Sequence, residues 1–297
     1  MTAARSARAS ASTAGSRIPP PSTPHARPRS GESAKSLLNT LLGEFVYPAG
    51  GAAWTSTLVE ALALLDVEEK AARQALARSA AEGWLQRERD GRRVRWRLTP
   101  PGMQRCIDGT ARISSFGSAR TDWDGQWLVL IVSVPEDQRA LGHRLRRRLT
   151  WAGFGSLGQG TWITPHADLE VEAARILSEL TPPPRALSFV ARFGKLGEER
   201  DLVAEAWDLG ELEARYRSFM ERFRSARPRD DASAFSAVTR LVHEWRRFAF
   251  GDPVLPAALL PAQWSGTRAK TFYDDRAAEW LPAAERWFQD AERRARA

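Results

Sequence analysis

One cysteine, Cys106, stands in a chain of 297 residues, so no internal disulfide and no multi-cysteine metal site can form. That suits a reducing compartment, and a cytoplasmic location is the expectation. Lysine is scarce as well: Lys35, Lys70, Lys195 and Lys270 are all there is, and arginine carries the positive charge. Long apolar runs are missing. The longest strand-like run, residues 127–134, is far too short to span a membrane, and the N-terminus lacks the apolar stretch of a signal peptide. No membrane partner is expected. The sequence also has no phosphate-binding Gly-Lys-Ser/Thr loop, no nucleophile elbow and no paired-histidine metal motif. It therefore reads as a protein without catalytic residues, metal or cofactor.

What the chain does have is arginine and a net charge of +8, with an isoelectric point near 10.4. Such a balance favours polyanions, nucleic acid above all, although GC-rich coding would produce the same arginine bias. The length allows two or three domains. Residues 1–32 hold Ala, Ser, Pro, Thr and Arg with almost nothing able to pack, which predicts a disordered basic tail. Its arginines either add non-specific DNA affinity or belong to an inert extension.

The stretch from Thr55 to Leu98 organises the rest. Trp54, Leu58, Leu62 and Leu65 recur at helical spacing, with Thr55 or Ser56 available as a cap. Asp66 followed by Glu69 has capping-box spacing for a second helix. In that helix Ala72, Ala75, Leu76, Ser79 and Ala80 form a small apolar side, and Lys70, Arg73, Gln74, Ala77 and Arg78 occupy the other. Arginine can reach guanine O6 and N7 in pairs, and glutamine adenine N6 and N7. A basic helix stripe alone is more often a solvated face. Here Gly83 ends the helix and a ribbon closed by Asp90-Gly91 follows, with Val94, Trp96 and Leu98 inward and arginine at 87, 89, 92, 93, 95 and 97. Six arginines beside such a helix point to phosphate or minor-groove contact. The candidate DNA-binding residues are Thr55, Ser56, Lys70, Arg73, Gln74, Arg78, Arg92, Arg93 and Arg95.

The fold class expected is α+β and multidomain. A winged helix-turn-helix covers 33–113, with its first helix over 33–45 and a last one starting at Thr99-Pro100. A ferredoxin-like α/β sandwich that pairs two copies covers 114–205, from strands at 127–134, 160–165 and 186–193, helices at 136–152 and 168–180, and one strand hidden near 155–159. An α-helical domain covers 206–297, with helices at 209–224, 234–250 and 268–294. In it His243, Arg246 and Arg247 share a helix side and form a candidate site for the phosphates of an anionic effector. An internal salt-bridge cluster with Glu244 or Asp252 is the even alternative. Trp245, Phe248, Phe250 and Trp264 suggest an aromatic pocket, with core packing the more frequent role. Cys106 reads as a packed apolar residue.

Three blocks in this order resemble the PaaX-type repressors of phenylacetic acid catabolism: AARQALARSAAEGWL with RRVRWRLTPPG, then WLVLIVSVPEDQRALGHRLRRRLTWAGFGSLGQGTWITPH, then LVHEWRRFAFGDPVLPAALLPAQW. The resemblance covers about residues 35 to 290 and implies a dimeric repressor on double-stranded operator DNA. It further implies release by phenylacetyl-CoA or a related acyl-CoA, with a different effector as the alternative. The middle block also looks like the CRISPR-associated adaptation nuclease fold. That family holds a metal with an Asp at the end of its first strand, and Ser133 stands there, with Glu136 and Asp137 just beyond. A metal-dependent nuclease is thus a competing reading, and a pairing module the preferred one.

Overall fold

The structure, a computed structural model, describes residues 33–117, 123–249 and 251–297. The basic tail expected over 1–32 and Phe250 of the aromatic group lie outside the described residues. Ser33 caps α1 (Ala34–Leu41), its Oγ accepting the Ser36 N–H at 3.1 Å. α1 runs into a single π-helical turn, Leu42–Val46, and its buried face is Leu37, Leu38 and Leu41.

Positive φ at Gly50 and Gly51 (92° and 77°) then turns the chain into β1 (Ala52–Trp54), a strand that the helical spacing of Trp54, Leu58 and Leu62 conceals. α2 (Thr55–Ala63) and α3 (Glu69–Ala81) follow, then β2 (Leu85–Asp90) and β3 (Arg93–Leu98). The three strands form an antiparallel sheet in the order β1-β3-β2. Three local expectations are corrected. Neither Thr55 nor Ser56 caps α2; Trp54 occupies the cap position, and the Thr55 hydroxyl donates to the Val94 carbonyl (2.9 Å) and accepts from Trp96 Nε1 (3.0 Å). The Asp66 capping box does not form: Asp66 has φ 63° and gives its carboxylate to Arg240 at 2.8 Å, while extended Glu68 precedes α3. Asp90 pairs with Arg93, so the hairpin loop is Gly91-Arg92, with Gly91 at positive φ (58°). Gly83, also at positive φ, ends α3 as its position implies.

Thr99 caps α4 (Pro100–Ser115), accepting the Gly102 N–H at 3.2 Å. Only glycine fits at 102, because a Cβ there would lie 2.2 Å from the Trp84 carbonyl oxygen. Beyond residue 122 comes β4 (Gln126–Ser133), then α5 (Arg139–Trp151), β5 (Gly155–Ser156), β6 (Thr161–Thr164), α6 (Glu170–Ser178) and β7 (Arg185–Arg192). They build a four-stranded antiparallel sheet in the order β5-β6-β4-β7, with β4 inside and the strand suspected near 155–159 at one edge. Leu128, Leu130 and Val132 of β4 pack with Leu141, Leu145 and Leu149 of α5 and Ala173 and Ile176 of α6. On the opposite face Trp127 and Ile163 are covered by Val203 of α7 (Glu199–Ala206), a helix without a counterpart in the sequence reading, and by Leu255. The far end of that face, Ile131, Leu187 and Phe189, is exposed.

The chain ends in α8 (Leu209–Arg224), α9 (Asp231–Ala249) and α10 (Ser265–Arg296). These helices share one core with the N-terminal elements. Phe45 packs on Phe235 of α9 (4.7 Å between centroids) and on Phe288 of α10 (5.5 Å). The Ser236 hydroxyl donates to the Leu64 carbonyl at 3.0 Å, and Arg112 Nε donates to the Ala249 carbonyl at 2.7 Å. The architecture is mixed α and β: two small antiparallel sheets and a helical C-terminal part.

Candidate nucleic-acid interface

The spacing that put small residues on one side of α3 is obeyed. Ala72, Ala75, Leu76 and Ser79 are buried, and Lys70, Arg73, Gln74 and Arg78 are exposed. Among the described residues Arg73 is engaged by an exposed ion pair with Glu69 one turn earlier (2.7 Å). Exposed pairs of this kind contribute little, so a ligand can displace it. A cleft of about 480 Å³ separates α3 from the hairpin, and Thr55, Ser56, Arg73, Arg87, Arg92 and Arg93 line it. Among the described residues no carboxylate lines that cleft, which gives it a positive lining.

The hairpin arginines divide into four kinds. Arg87, Arg89 and Arg92 are exposed. Arg95 is half-buried; its guanidinium lies over the Trp54 ring at 5.7 Å and reaches the Ala52 carbonyl at 3.5 Å, which ties it to β1. Arg97 donates to Glu88 across the two strands at 2.6 Å, and that partnership holds the Glu88 carboxyl below its ordinary range. Arg93 is exposed, but its guanidinium donates to the carbonyls of Arg296 and Ala297 (2.8 Å to the latter). The end of α10 therefore abuts the hairpin, a contact between residues some 200 apart that no local pattern announces. At the same end, Glu292 accepts the Trp54 backbone N–H at 2.9 Å and Arg294 pairs with Glu60 at 2.8 Å.

The three candidate effector residues are not brought together. His243 is buried, with a hydrogen bond of 3.0 Å between its Nδ1 and Thr40 Oγ1. Arg247 is exposed. Arg246 lies between them in burial and donates to the Asn39 carbonyl at 3.1 Å. The internal cluster offered as the alternative does not form either, since Glu244 pairs with Arg222 and Asp252 accepts from the Tyr216 hydroxyl. Trp245 and Phe248 are core residues, stacked among Tyr216, Phe219 and Tyr273, and Trp264 sits edge-on to Tyr216. Arg246 instead faces a narrow cavity of about 40 Å³ between α1, α4 and α9, with Glu44, Arg105, Cys106 and Val242. Burial pushes the Glu44 carboxyl up against the pull of Arg246, lowers the Arg246 guanidinium and raises the Cys106 thiol. Helical spacing placed Arg246 on a shared side with its neighbours, but the packing of α9 against α1 selects it alone.

At the nuclease position, Glu136 and Asp137 form an exposed turn after β4. Among the described residues no group of three or more His, Cys, Asp or Glu is placed to share a metal. No described helix is long and apolar enough to cross a membrane.

Fold and cleft together give the chain an arginine-lined cleft between α3 and the β2–β3 hairpin, with a helical C-terminal part packed on the same core. Comparison with known proteins makes this specific. Residues 33–102 match the model of PaaX-like proteins, 120–203 that of the PaaX protein central Cas2-like domain, and 207–290 that of the PaaX-like protein C-terminal domain. The chain is 31% identical over 249 residues to the transcriptional repressor PaaX of Escherichia coli K12, covering 80% of this chain and 77% of that one. It also superposes on an uncharacterized protein of Mycobacterium tuberculosis, Rv0674, with a TM-score of 0.57 and 27% identity, over 86% of this chain and 98% of the other. The chain belongs to the PaaX family.

Proposed function

We propose that the protein is a transcriptional repressor of a phenylacetate-type catabolic operon, not an enzyme, with residues 33–113 acting as a winged helix-turn-helix. The observation that carries this reading is the single cleft that gathers Arg73 of α3 with Arg87, Arg92 and Arg93 of the hairpin and with Thr55 and Ser56 at the start of α2. α3 enters the major groove, where Lys70, Arg73, Gln74 and Arg78 meet base edges and phosphates. The hairpin is the wing, with Arg92 and Arg93 on the flanking backbone. Arg95, packed on Trp54, sets the wing's angle to β1 rather than reaching DNA. The repressor named in Escherichia coli supports the regulatory role.

Residues 114–205 serve as a ferredoxin-like pairing module, which the βαββαβ order of the central sheet supports. Ile131 pairs with Leu187 and Val129 with Phe189 on the face turned away from α5 and α6, so an apolar patch remains there for a second copy. The effector, phenylacetyl-CoA or a related acyl-CoA, binds where α9 of the C-terminal helices faces α1 and α4. Arg246 is the group of the original three with access to a cavity, and Arg105 adds a second cation. At about 40 Å³ the cavity admits no thioester as it stands. Binding therefore calls for movement among α1, α4 and α9, and that movement couples effector to reader.

The test is fluorescence anisotropy on the DNA upstream of the protein's own gene, against random duplex, with phenylacetyl-CoA and with free CoA. Sequence-specific binding lost only with the thioester is the expected result. Specific binding indifferent to both compounds keeps the DNA reader and overturns the effector. No binding to any duplex overturns the whole reading.

A further inference from the structure

We propose that the last turn of α10 is a third DNA-contacting element, beside α3 and the wing, with Arg293 and Arg296 taking duplex phosphates. The proposal rests on the DNA-reading role above and extends it to a helix from the opposite end of the chain.

Three observations lead to it. First, the end of α10 is seated on the reader and fixed there. Glu292 accepts the Trp54 N–H, Arg294 pairs with Glu60 of α2, and the Arg296 and Ala297 carbonyls take the Arg93 guanidinium. Second, it divides the two basic clefts that flank the wing. Ala295 lines the one that holds Arg73, Arg87, Arg92 and Arg93. Arg293 and Arg296 line the other, about 410 Å³, with Arg89 and Arg95. Third, the charges are available. Arg293 and Arg296 are exposed, and among the described residues the Arg293 side chain is engaged by Asp290 one turn back on the same helix, a pair that a phosphate can exchange at little cost.

Arginines in the last turn of a helix also stabilise its negative end. That accounts for their presence but not for the helix end lying between two clefts lined by wing arginines. Of the three acids in the second cleft, Glu88 pairs with Arg97 and Glu292 accepts the Trp54 amide, while Asp90 is exposed at the hairpin turn; the four arginines outnumber them. Backbone phosphates running past the wing would meet Arg92 and Arg93 on one side and Arg293 and Arg296 on the other. Such contacts carry no sequence information, so their signature is electrostatic.

The experiment measures binding to the upstream duplex and to random duplex across a salt series. It compares wild type, the double variant Arg293→Ala/Arg296→Ala and the charge-keeping variant Arg293→Lys/Arg296→Lys. Two lost phosphate contacts should shrink the slope of log affinity against log salt by about 2. Affinity for both duplexes should fall by the same factor, so that their ratio is kept, and the lysine variant should retain the wild-type slope. An alanine variant with unchanged slope, where wild type binds, overturns the proposal and leaves the DNA reader standing. A lysine variant that loses as much slope as the alanine variant also overturns it, since the arginines would then be acting on the packing of α10. A wild-type chain that binds no duplex overturns both readings together.

Discussion

Arg73 and Arg93 face the same cleft, yet they are held by different partners and should fail differently. Arg73 has only an exposed ion pair to give up, so Arg73→Ala should cost about 1–3 kcal/mol at the preferred site and relax selectivity there, as read by competition with single-base variants of the operator. Arg93→Ala should weaken all sequences alike and reduce the salt slope by about 1; an unchanged slope would remove the wing assignment. Glu44 offers a residue-scale test on stability. Its buried carboxyl has a folded pKa raised above the ordinary 4.5, so folding takes up a proton between those two values. Stability from this group is present below the ordinary value and is lost as pH rises through the raised one. Glu44→Gln removes that slope. The melting temperature of the variant should gain on wild type as pH goes from about 4 towards neutrality, and parallel curves would contradict the shift.

Among the elements, two glycines set the spacing between neighbours. A Cβ at 160 would stand 2.2 Å from the Val132 carbonyl oxygen, and Gly160 has φ 82°. Gly160→Ala therefore combines a backbone clash with a disfavoured conformation where β6 meets β4, and a loss of about 3 kcal/mol in urea unfolding is expected. Gly102→Ala acts at the start of α4, against Trp84, whose ring lies under Arg105 at 4.0 Å and Lys35 at 4.9 Å. The helix would have to lift from the base of the wing. The exposed end of the central sheet belongs to this scale too. Phe189→Asp should leave the fold intact and convert a dimer to a monomer in sedimentation, because it places a charge where the proposed partner surface is apolar. A wild type that sediments as a monomer would refute that surface.

At the scale of the molecule, the N-terminal elements and the C-terminal helices share one core. Phe45, Phe235 and Phe288 meet in one aromatic cluster, and Trp287 packs on Phe235 at 4.2 Å. Phe235→Ala, in α9, should cost about 3–5 kcal/mol and should reduce DNA binding although no residue of α9 faces the cleft. The loss in Phe45→Ala/Phe235→Ala should be less than the sum of the single losses, because the two rings share one contact. This continuity also offers a physical route for control. α9 carries Arg246 at the cavity, α10 packs along α9, and the end of α10 holds Arg93 and Trp54 at the wing.

Local chemistry in the chain was enough to determine much of this. Helical spacing marked the buried and exposed sides of α3, Gly83 and Gly91 marked its end and the hairpin, and Thr99-Pro100 marked the start of α4. Each signal lies within a few residues, where backbone preference and side-chain period act directly. Tertiary structure decided the rest. Trp54 obeys a helical period but lies in β1, because it stands opposite Arg95 of β3 and Glu292 of α10 takes its backbone N–H. Asp66 has the spacing of a cap, yet Arg240 of α9 competes for its carboxylate. His243, Arg246 and Arg247 fall within one helical turn, and only the packing of α1 and α4 on α9 sends them to a hydrogen bond, a cavity wall and solvent respectively. The seating of α10 on the β2–β3 hairpin was the least legible, since its contacts join residues about 200 positions apart. Periodicity in a sequence gives the faces of an element, and the partner that each face meets is determined only when the chain closes its core.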